Sequence, residues 1–393
     1  MLEKCVSTDF LKRGMYVSRL DRPWGETDFL FQGFLINDQE TIEQLDKQCK
    51  HVFIDIERGK GADQYLEASP LQKKLSQVEK IKETLYIARN NYNKLADEFT
   101  IAMDNILSGG ELQINLLQDQ LNTVVEGISN NPDAYLLLTK LKGKDDYTYH
   151  HMISCSILAV ALGKELGLSK DEVEELAIGI LLFDIGKMKL SSDILTKTES
   201  LNDEEHQMIK AHVADSVELL SKTEGVSSST IEIARDHHER YDGNGYPKGK
   251  KDAGISLFAS IAGLVDCYHA MTSERVFAKG MKHGEVVNQL YLRRNIDFKE
   301  ELVEHFIQCL GSYPAGTLVE LSTGEVCVVI QQNKVRRLRP KVMVLLNKDK
   351  KSNDYFPIMD LLTELEDSDR NPISIVHILE NNAYGLDAEK FYL

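Results

Sequence analysis

His237-His238-Glu239-Arg240-Tyr241-Asp242-Gly243-Asn244-Gly245-Tyr246-Pro247 is the stretch on which the reading of this chain turns. Two adjacent imidazoles and two carboxylates stand at the end of a helical pattern carrying Ile231, Ile233 and Ala234, and a glycine-rich turn ending in Tyr-Pro follows at once. Imidazole and carboxylate together suit a divalent metal, and a glycine turn beside a metal suits a phosphate-bearing ligand. Such a site needs further ligands, so polar residues on faces that helical periodicity buries become informative.

Those residues are present. His151 falls on the stripe His151, Cys155, Leu158, Leu162, and Asp184 lies beyond Leu176 and Ile180 on the next helical pattern. Asn202 and Glu205 have capping-box spacing, so a helix is expected to start there and to carry His212 on a stripe with Ile209, Ser216 and Leu219. Asp266 sits in the run Ile255–Met271, on a face with Ala259 and Ala262. One buried histidine is ordinarily a hydrogen-bonded core residue. Four histidines and two aspartates on the inward faces of five successive helices are different. Burying so many unpaired polar groups would cost roughly several kcal/mol each, so they satisfy one another or share a metal. Nitrogen and oxygen donors of this kind suit Fe, Mn or Zn and disfavour Cu(I). Adjacent helical residues point about 100° apart. His237 and His238 are therefore expected to reach two different ions, or one ion and a substrate, with Asp184 able to bridge two ions.

Composition narrows the function classes. The chain has 393 residues, with 46 Lys plus Arg against 62 Asp plus Glu, for a net charge of −16. That argues against a nucleic-acid polymer or an anionic membrane as partner, since both need a basic surface. The six cysteines are scattered with no CxxC pair, which reads as reduced residues of a cytoplasmic protein. No run approaches the roughly 20 apolar residues that a bilayer crossing requires, so no membrane span is expected.

Along the chain, residues 1–65 read as a small α+β domain. Its expected strands are Met15–Leu20, Phe29–Ile36 and His51–Ile56, its turn is Arg22–Gly25, and its helix is Thr41–Lys50. A polar linker is expected to open at Gly59–Gly61. Residues 66–130 read as a helical linker with the stripe Leu71, Leu75, Val78, Ile81, Leu85 and Ala88, which fits a connecting helix, a dimer-forming helix or one packed on its own domain. Residues 131–311 read as a helical domain, its pattern almost entirely helical. Residues 312–393 form a C-terminal β extension and tail, with two strands around Ser322-Thr323-Gly324 and an expected edge strand Leu338–Leu346 carrying Pro340. The fold class is mainly α.

Taken together, His151, Phe183-Asp184-Ile185-Gly186-Lys187, His212, the 237–247 motif and Asp266 resemble the HD-GYP family, HD-superfamily hydrolases that cleave the bacterial messenger cyclic di-GMP. The resemblance covers roughly residues 130–310. It implies an HD-domain helical bundle in which His151, Asp184, His212, His237, His238 and Asp266 hold divalent ions, iron or manganese, one or two per chain. Lys187 and Asp184 would be catalytic. Gly243, Gly245, Tyr246, Pro247 and Arg275 would bind the dinucleotide, and the same Gly-Tyr-Pro turn would meet GGDEF-type or other signalling proteins. A homodimer is compatible. Residues 1–60 resemble a small domain of unknown function that often precedes HD-GYP domains, and the sheet near 316–346 resembles a common C-terminal extension.

The sequence departs from the family in four places. Phe183 stands where the signature histidine belongs, and phenylalanine cannot ligate metal. His269 stands where the family has aspartate; one turn after Asp266, it is expected to replace the lost ligand in part. Val276-Phe277-Ala278 replaces Pro-Tyr-Arg, and Tyr147 replaces the glutamate of trinuclear members, which argues against a third metal. The implied function is hydrolysis of cyclic di-GMP to linear pGpG and GMP. The alternative is a catalytically weak or inactive receptor that binds cyclic di-GMP or partner proteins.

Overall fold

The structure, a computed structural model, describes residues 3–29, 33–55, 58–59, 70–140, 147–195, 197, 199, 202–273, 280–333, 335–352, 356–367, 370–380 and 383–386. The chain is mainly helical, with a small α+β region at its N-terminus and strands at its C-terminus. It divides into two compact units, Met1–Glu83 and Thr84–Leu393.

In the first unit, β1 (Glu3–Ser7), β2 (Tyr16–Leu20), β3 (Phe34–Leu35) and β4 (His51–Asp55) form an antiparallel sheet in the order β1-β4-β2-β3. Helix α1 (Gln39–Gln48) starts at Asp38, whose carboxylate accepts from the Thr41 amide at 2.8 Å. The sheet and α1 bury Val17, Leu20, Ile36, Leu45, Val52 and Ile54 together. Two expectations change here. The strand expected over Phe29–Ile36 is only Phe34–Leu35, because Phe29 turns back to stack on Phe34 at 5.0 Å; residues 30–32 lie outside the described residues. Strand β1 was not anticipated, since Glu3-Lys4-Cys5-Val6-Ser7 is short and half charged, as suits a sheet edge. The expected linker at Gly59–Gly61 lies mostly outside the described residues.

The boundary between units falls inside α2 (Pro70–Leu107). Leu85 and Ala88 of the expected stripe are buried, and Leu95, Phe99 and Met103 continue it. The side chains of Leu71, Leu75 and Val78 lie outside the described residues. Helix α3 (Ile114–Asn130) buries Leu117, Leu121, Val124 and Ile128, the 3–4 spacing of a one-faced helix. It packs against α5 (Tyr147–Glu165) and α6 (Lys170–Leu182), so residues 84–130 belong to the helical unit rather than to a linker.

Helix α4 (Pro132–Leu138) leads into that unit, which continues through α7 (Ser192–Leu195), α8 (Asp203–Lys210), α9 (His212–Lys222), α10 (Ser228–Asp236), α11 (Leu257–Thr272), α12 (His283–Leu292) and α13 (Glu300–Leu310). Helix α5 is its axis. Every residue from His151 to Gly163 is buried, and α3, α4, α6, α11 and α13 pack around it. A helix apolar on all sides is stable only in such a position, and each fully buried Leu or Ile contributes roughly 1.5–3 kcal/mol. Helix α6 begins with a complete capping box, Ser169 with Glu172, and α8 with Asn202 and Glu205.

Strands β5 (Leu318–Leu321), β6 (Val326–Gln331), β7 (Lys341–Leu346), β8 (Ile358–Asp360) and β9 (Ile375–Ile378) form an antiparallel sheet in the order β8-β7-β6-β5-β9. Strand β7 is interior, not an edge. Pro340 stops just short of it and removes no donor from the ladder. Among the described residues no helix is long and apolar enough to cross a membrane.

Candidate metal centre

The site forms where α6 and α10 end and α9 begins, beside α5 and α11. Helix α6 closes at Phe183, and Asp184 (φ −105, ψ 11) turns the chain into a 3-10 segment, Ile185–Lys189. That turn is locked onto α9. The Gly186 amide donates to Ser216 Oγ at 2.8 Å, and a Cβ on residue 186 would lie 2.2 Å from the His212 carbonyl oxygen. Only glycine fits. The single helix expected from Asn202 through Leu219 breaks at Ala211, between α8 and α9. His212 Nδ1 takes the Ile209 carbonyl at 2.5 Å, the acceptor that a continuous helix would give to the Val213 amide. His212 is thereby aimed inward and fully buried.

Asp184, fully buried, stands at the centre. Its Oδ1 is 3.1 Å from His212 Nε2 and 3.6 Å from His237 Nε2. Its Oδ2 is 2.5 Å from Lys187 Nζ and 3.8 Å from His151 Nε2. Burial alone would push its carboxyl up, but the Lys187 ammonium beside it holds it well below the usual range. His151 Nε2 lies 3.1 Å from Asp266 Oδ1, and His238 Nδ1 lies 3.9 Å from Asp266 Oδ2. Burial, and next the neighbouring His237 ring, push His238 well below the ordinary histidine value, so its ring is neutral and able to ligate.

Among the described residues, three sets of side chains could hold an ion: Asp184, His212, His237 and His238; His151, Asp184 and Asp266; and His151, Cys155 and His269. In each, the donor atoms lie within 4.8 Å of one another. The first set fits a cation best. His237 Nδ1 faces the Ala234 and Ile233 carbonyls at 3.0 and 3.2 Å, and His212 Nδ1 faces that of Ile209, so both rings carry their proton on Nδ1. Their Nε2 lone pairs then converge on Asp184 Oδ1, and none of the three atoms has a hydrogen-bond partner among the described residues. Three buried acceptors with no donor between them match a bound cation.

His237 and His238 share this first set, although neighbouring helical residues would point apart. The reason is that α10 ends at Asp236: His237 is its cap and His238 is already in the turn, so their rings approach to 4.0 Å. Tyr246 stacks on the other side of His238, at 4.5 Å and 23°, with Lys210 Nζ 5.1 Å above its ring. The Tyr246 amide donates to the His238 carbonyl at 3.1 Å. Gly245 lies so close to the preceding backbone that a Cβ would be 2.4 Å from the His238 oxygen.

Three models of known families match the chain. One described as an HD domain matches residues 114–298, one described as a domain of unknown function matches residues 3–116, and one described as a KOW domain associated with HD domain matches residues 318–379. A cyclic di-GMP phosphodiesterase of Pseudomonas aeruginosa is 29% identical over 361 residues, 88% of this chain and 86% of the relative. Residues 114–298 are an HD domain. Two further relatives match over shorter spans. A cyclic di-GMP phosphodiesterase of Borreliella burgdorferi is 30% identical over 50% of this chain and 51% of its own length. A 3′3′-cGAMP-specific phosphodiesterase of Vibrio cholerae is 36% identical over 39% of this chain and 36% of its own.

Within this HD domain, His151, Asp184, Lys187, His212, His237, His238, Asp266 and Tyr246 come together, with Pro247 following in the turn. Gly243 lies earlier in that turn, its amide donating to the Arg240 carbonyl at 2.8 Å. Arg275 and Val276-Phe277-Ala278 lie outside the described residues, as does the side chain of Tyr147. Phe183 is fully buried among the ligand candidates, its ring 4.7 Å from that of His237 and 6.2 Å from that of His151. His269 is near but differently aimed from the expectation. Its Nδ1 meets His151 Nδ1 at 2.8 Å, on the side of His151 opposite the nitrogen that faces Asp266, and the ligand candidates it groups with are His151 and Cys155 rather than Asp184 and Asp266.

Sequence reasoning missed the residues that hold the turn. Glu239, 3% exposed, accepts from the Lys248 amide at 2.7 Å and the Lys250 amide at 2.9 Å. Buried Asp236 takes Arg235 Nη2 at 2.8 Å and Lys250 Nζ at 2.7 Å. The carboxylates of the motif other than the ligand candidates are thus structural: Glu239 clamps the loop, and Asp242 accepts from the Asn244 amide at 2.9 Å. No periodicity signals an acceptor nine or eleven residues before its donors.

Proposed function

We propose that this chain is a metal-dependent phosphodiesterase that hydrolyses cyclic di-GMP to linear pGpG and then GMP. The observation that carries the reading is the meeting of Asp184 Oδ1, His212 Nε2 and His237 Nε2, buried acceptors without a donor, beside the Lys187 ammonium. Iron or manganese suits that donor set. A divalent cation bound there lowers the pKa of a coordinated water and neutralises charge on phosphoryl oxygens.

The chain's own residues do the rest. Asp184, His212, His237 and His238 fix the position of the cation and so of the phosphate. Lys187, on the partly exposed side of Asp184, stabilises charge on a non-bridging oxygen as water adds to phosphorus. The bond from phosphorus to the 3′ oxygen breaks, a proton returns to that oxygen, and the product is a linear dinucleotide with a 5′ phosphate. The Gly-Tyr-Pro turn, packed on His238, forms a wall for the guanine nucleotide. That the Pseudomonas and Borreliella relatives are cyclic di-GMP phosphodiesterases supports this substrate, and the Vibrio relative makes 3′3′-cGAMP the control ligand.

The test is release of pGpG by protein purified from iron- or manganese-supplemented culture. Lys187→Met should lower kcat about 10²- to 10³-fold with metal content unchanged. One observation favours a second reading, a receptor without turnover: Phe183 occupies the heart of the cluster. Tight binding of cyclic di-GMP with no pGpG would support that reading.

A further inference from the structure

We propose that this site holds one ion, in the pocket of Asp184, His212, His237 and His238, and that hydrogen bonds within His151–Asp266–His269 stand where a second ion would bind. The inference rests on the reading of the cluster as a metal centre and adds its stoichiometry and asymmetry.

Hydrogen-bond accounting separates the two sides of Asp184. On the first side Asp184 Oδ1, His212 Nε2 and His237 Nε2 are all without a hydrogen-bond partner. On the second side the polar atoms already have one. Asp184 Oδ2 takes Lys187 Nζ at 2.5 Å, and His151 Nε2 meets Asp266 Oδ1 at 3.1 Å. His151 Nδ1 meets His269 Nδ1 at 2.8 Å, and the His269 ring reaches Ser273 Oγ at 3.3 Å. A carboxylate oxygen opposite His151 Nε2 selects the form with a proton there, and that proton occupies the lone pair an ion would need.

Phe183 explains the asymmetry. Its ring fills the space between His151 and His237, so the second set keeps one imidazole and two carboxylates and gains only hydrocarbon. Asp184 Oδ2, the carboxylate oxygen that faces that set, already holds the Lys187 ammonium. His269 completes the arrangement from behind His151, as a positioning residue for that ring and not as a ligand.

The experiment is metal analysis of the full chain purified from manganese-supplemented culture, with electron paramagnetic resonance of the bound Mn(II). The expected result is one manganese per chain with the six-line spectrum of an isolated ion. His212→Ala should lose it, His151→Ala should keep it, and Phe183→His should bring occupancy to two with the broadened spectrum of a coupled pair. Two ions in the unmodified chain, or loss of the ion in His151→Ala, would overturn the one-ion site while leaving the phosphodiesterase reading intact. No bound metal and no turnover would overturn both.

Discussion

Replacing Glu239 with glutamine should loosen the Gly-Tyr-Pro turn without unfolding the domain. The carboxylate is buried and accepts two backbone N–H bonds, from Lys248 at 2.7 Å and Lys250 at 2.9 Å. Glutamine keeps one acceptor oxygen and turns an NH2 toward the other amide. One bond to a charged group is lost, worth about 1.5–3 kcal/mol. With a factor of ten per 1.4 kcal/mol, opening of the turn becomes roughly 10- to 100-fold more frequent. Amide hydrogen exchange followed by mass spectrometry over residues 243–251 reads that change directly, since exchange there proceeds through local opening. A peptide from α5, buried from His151 to Gly163, serves as the internal control and should not change. Because Tyr246 stacks on His238 at 4.5 Å, the variant should also bind metal more weakly, by up to about tenfold. Unchanged exchange at 248 and 250 would refute the assignment of Glu239 as the clamp.

Gly186→Ala should be severe: its Cβ would lie 2.2 Å from the His212 oxygen, so either the chain misfolds or His212 shifts, and soluble yield and metal content report which. Leu158→Ala in the middle of α5 leaves a cavity in the buried axis of the helical unit and should cost about 2–5 kcal/mol in urea denaturation of that unit. Lys140, whose ammonium donates to Thr317 Oγ1 at 3.0 Å, is pushed down by burial from 10.5 to about 8. The unfolded chain then binds the extra proton between those values, so stability should rise with pH across that window, by on the order of 1–3 kcal/mol. Lys140→Met should remove that rise, and urea midpoints of both proteins between pH 7 and pH 11 provide the check. Equal pH slopes would refute it.

The sequence carried the helical part of the fold because that part obeys local rules. The capping boxes at Ser169 and Asn202 open α6 and α8 where the side-chain pattern says they should. The stripe His151, Cys155, Leu158, Leu162 is buried because α5 is the axis of the bundle. The residues that meet at Asp184 were legible for the same reason: a polar residue on an apolar helical face needs a partner inside. Strands were less legible. The edge strand β1 has little apolar content, and the extent of β3 depends on Phe29 folding back on Phe34, a contact no alternation pattern encodes.

What only the tertiary structure decided are the directions in which polar groups point. His237 and His238 enter one pocket because α10 stops just before them, whereas the angle between neighbouring helical residues had suggested two destinations. His269 lies on the face of α11 that helical spacing assigns, yet it meets the far nitrogen of His151, which follows from how α5 and α11 cross. Glu239 stands within the motif as a plausible ligand and serves instead to bind the loop amides that follow it. The motif at 237–247 and the substitution at Phe183 belong to the sequence alone. Which atoms are left without a partner, and so where a cation fits, is a property of packing, because hydrogen-bond satisfaction is settled only when distant helices come within about 3 Å of one another.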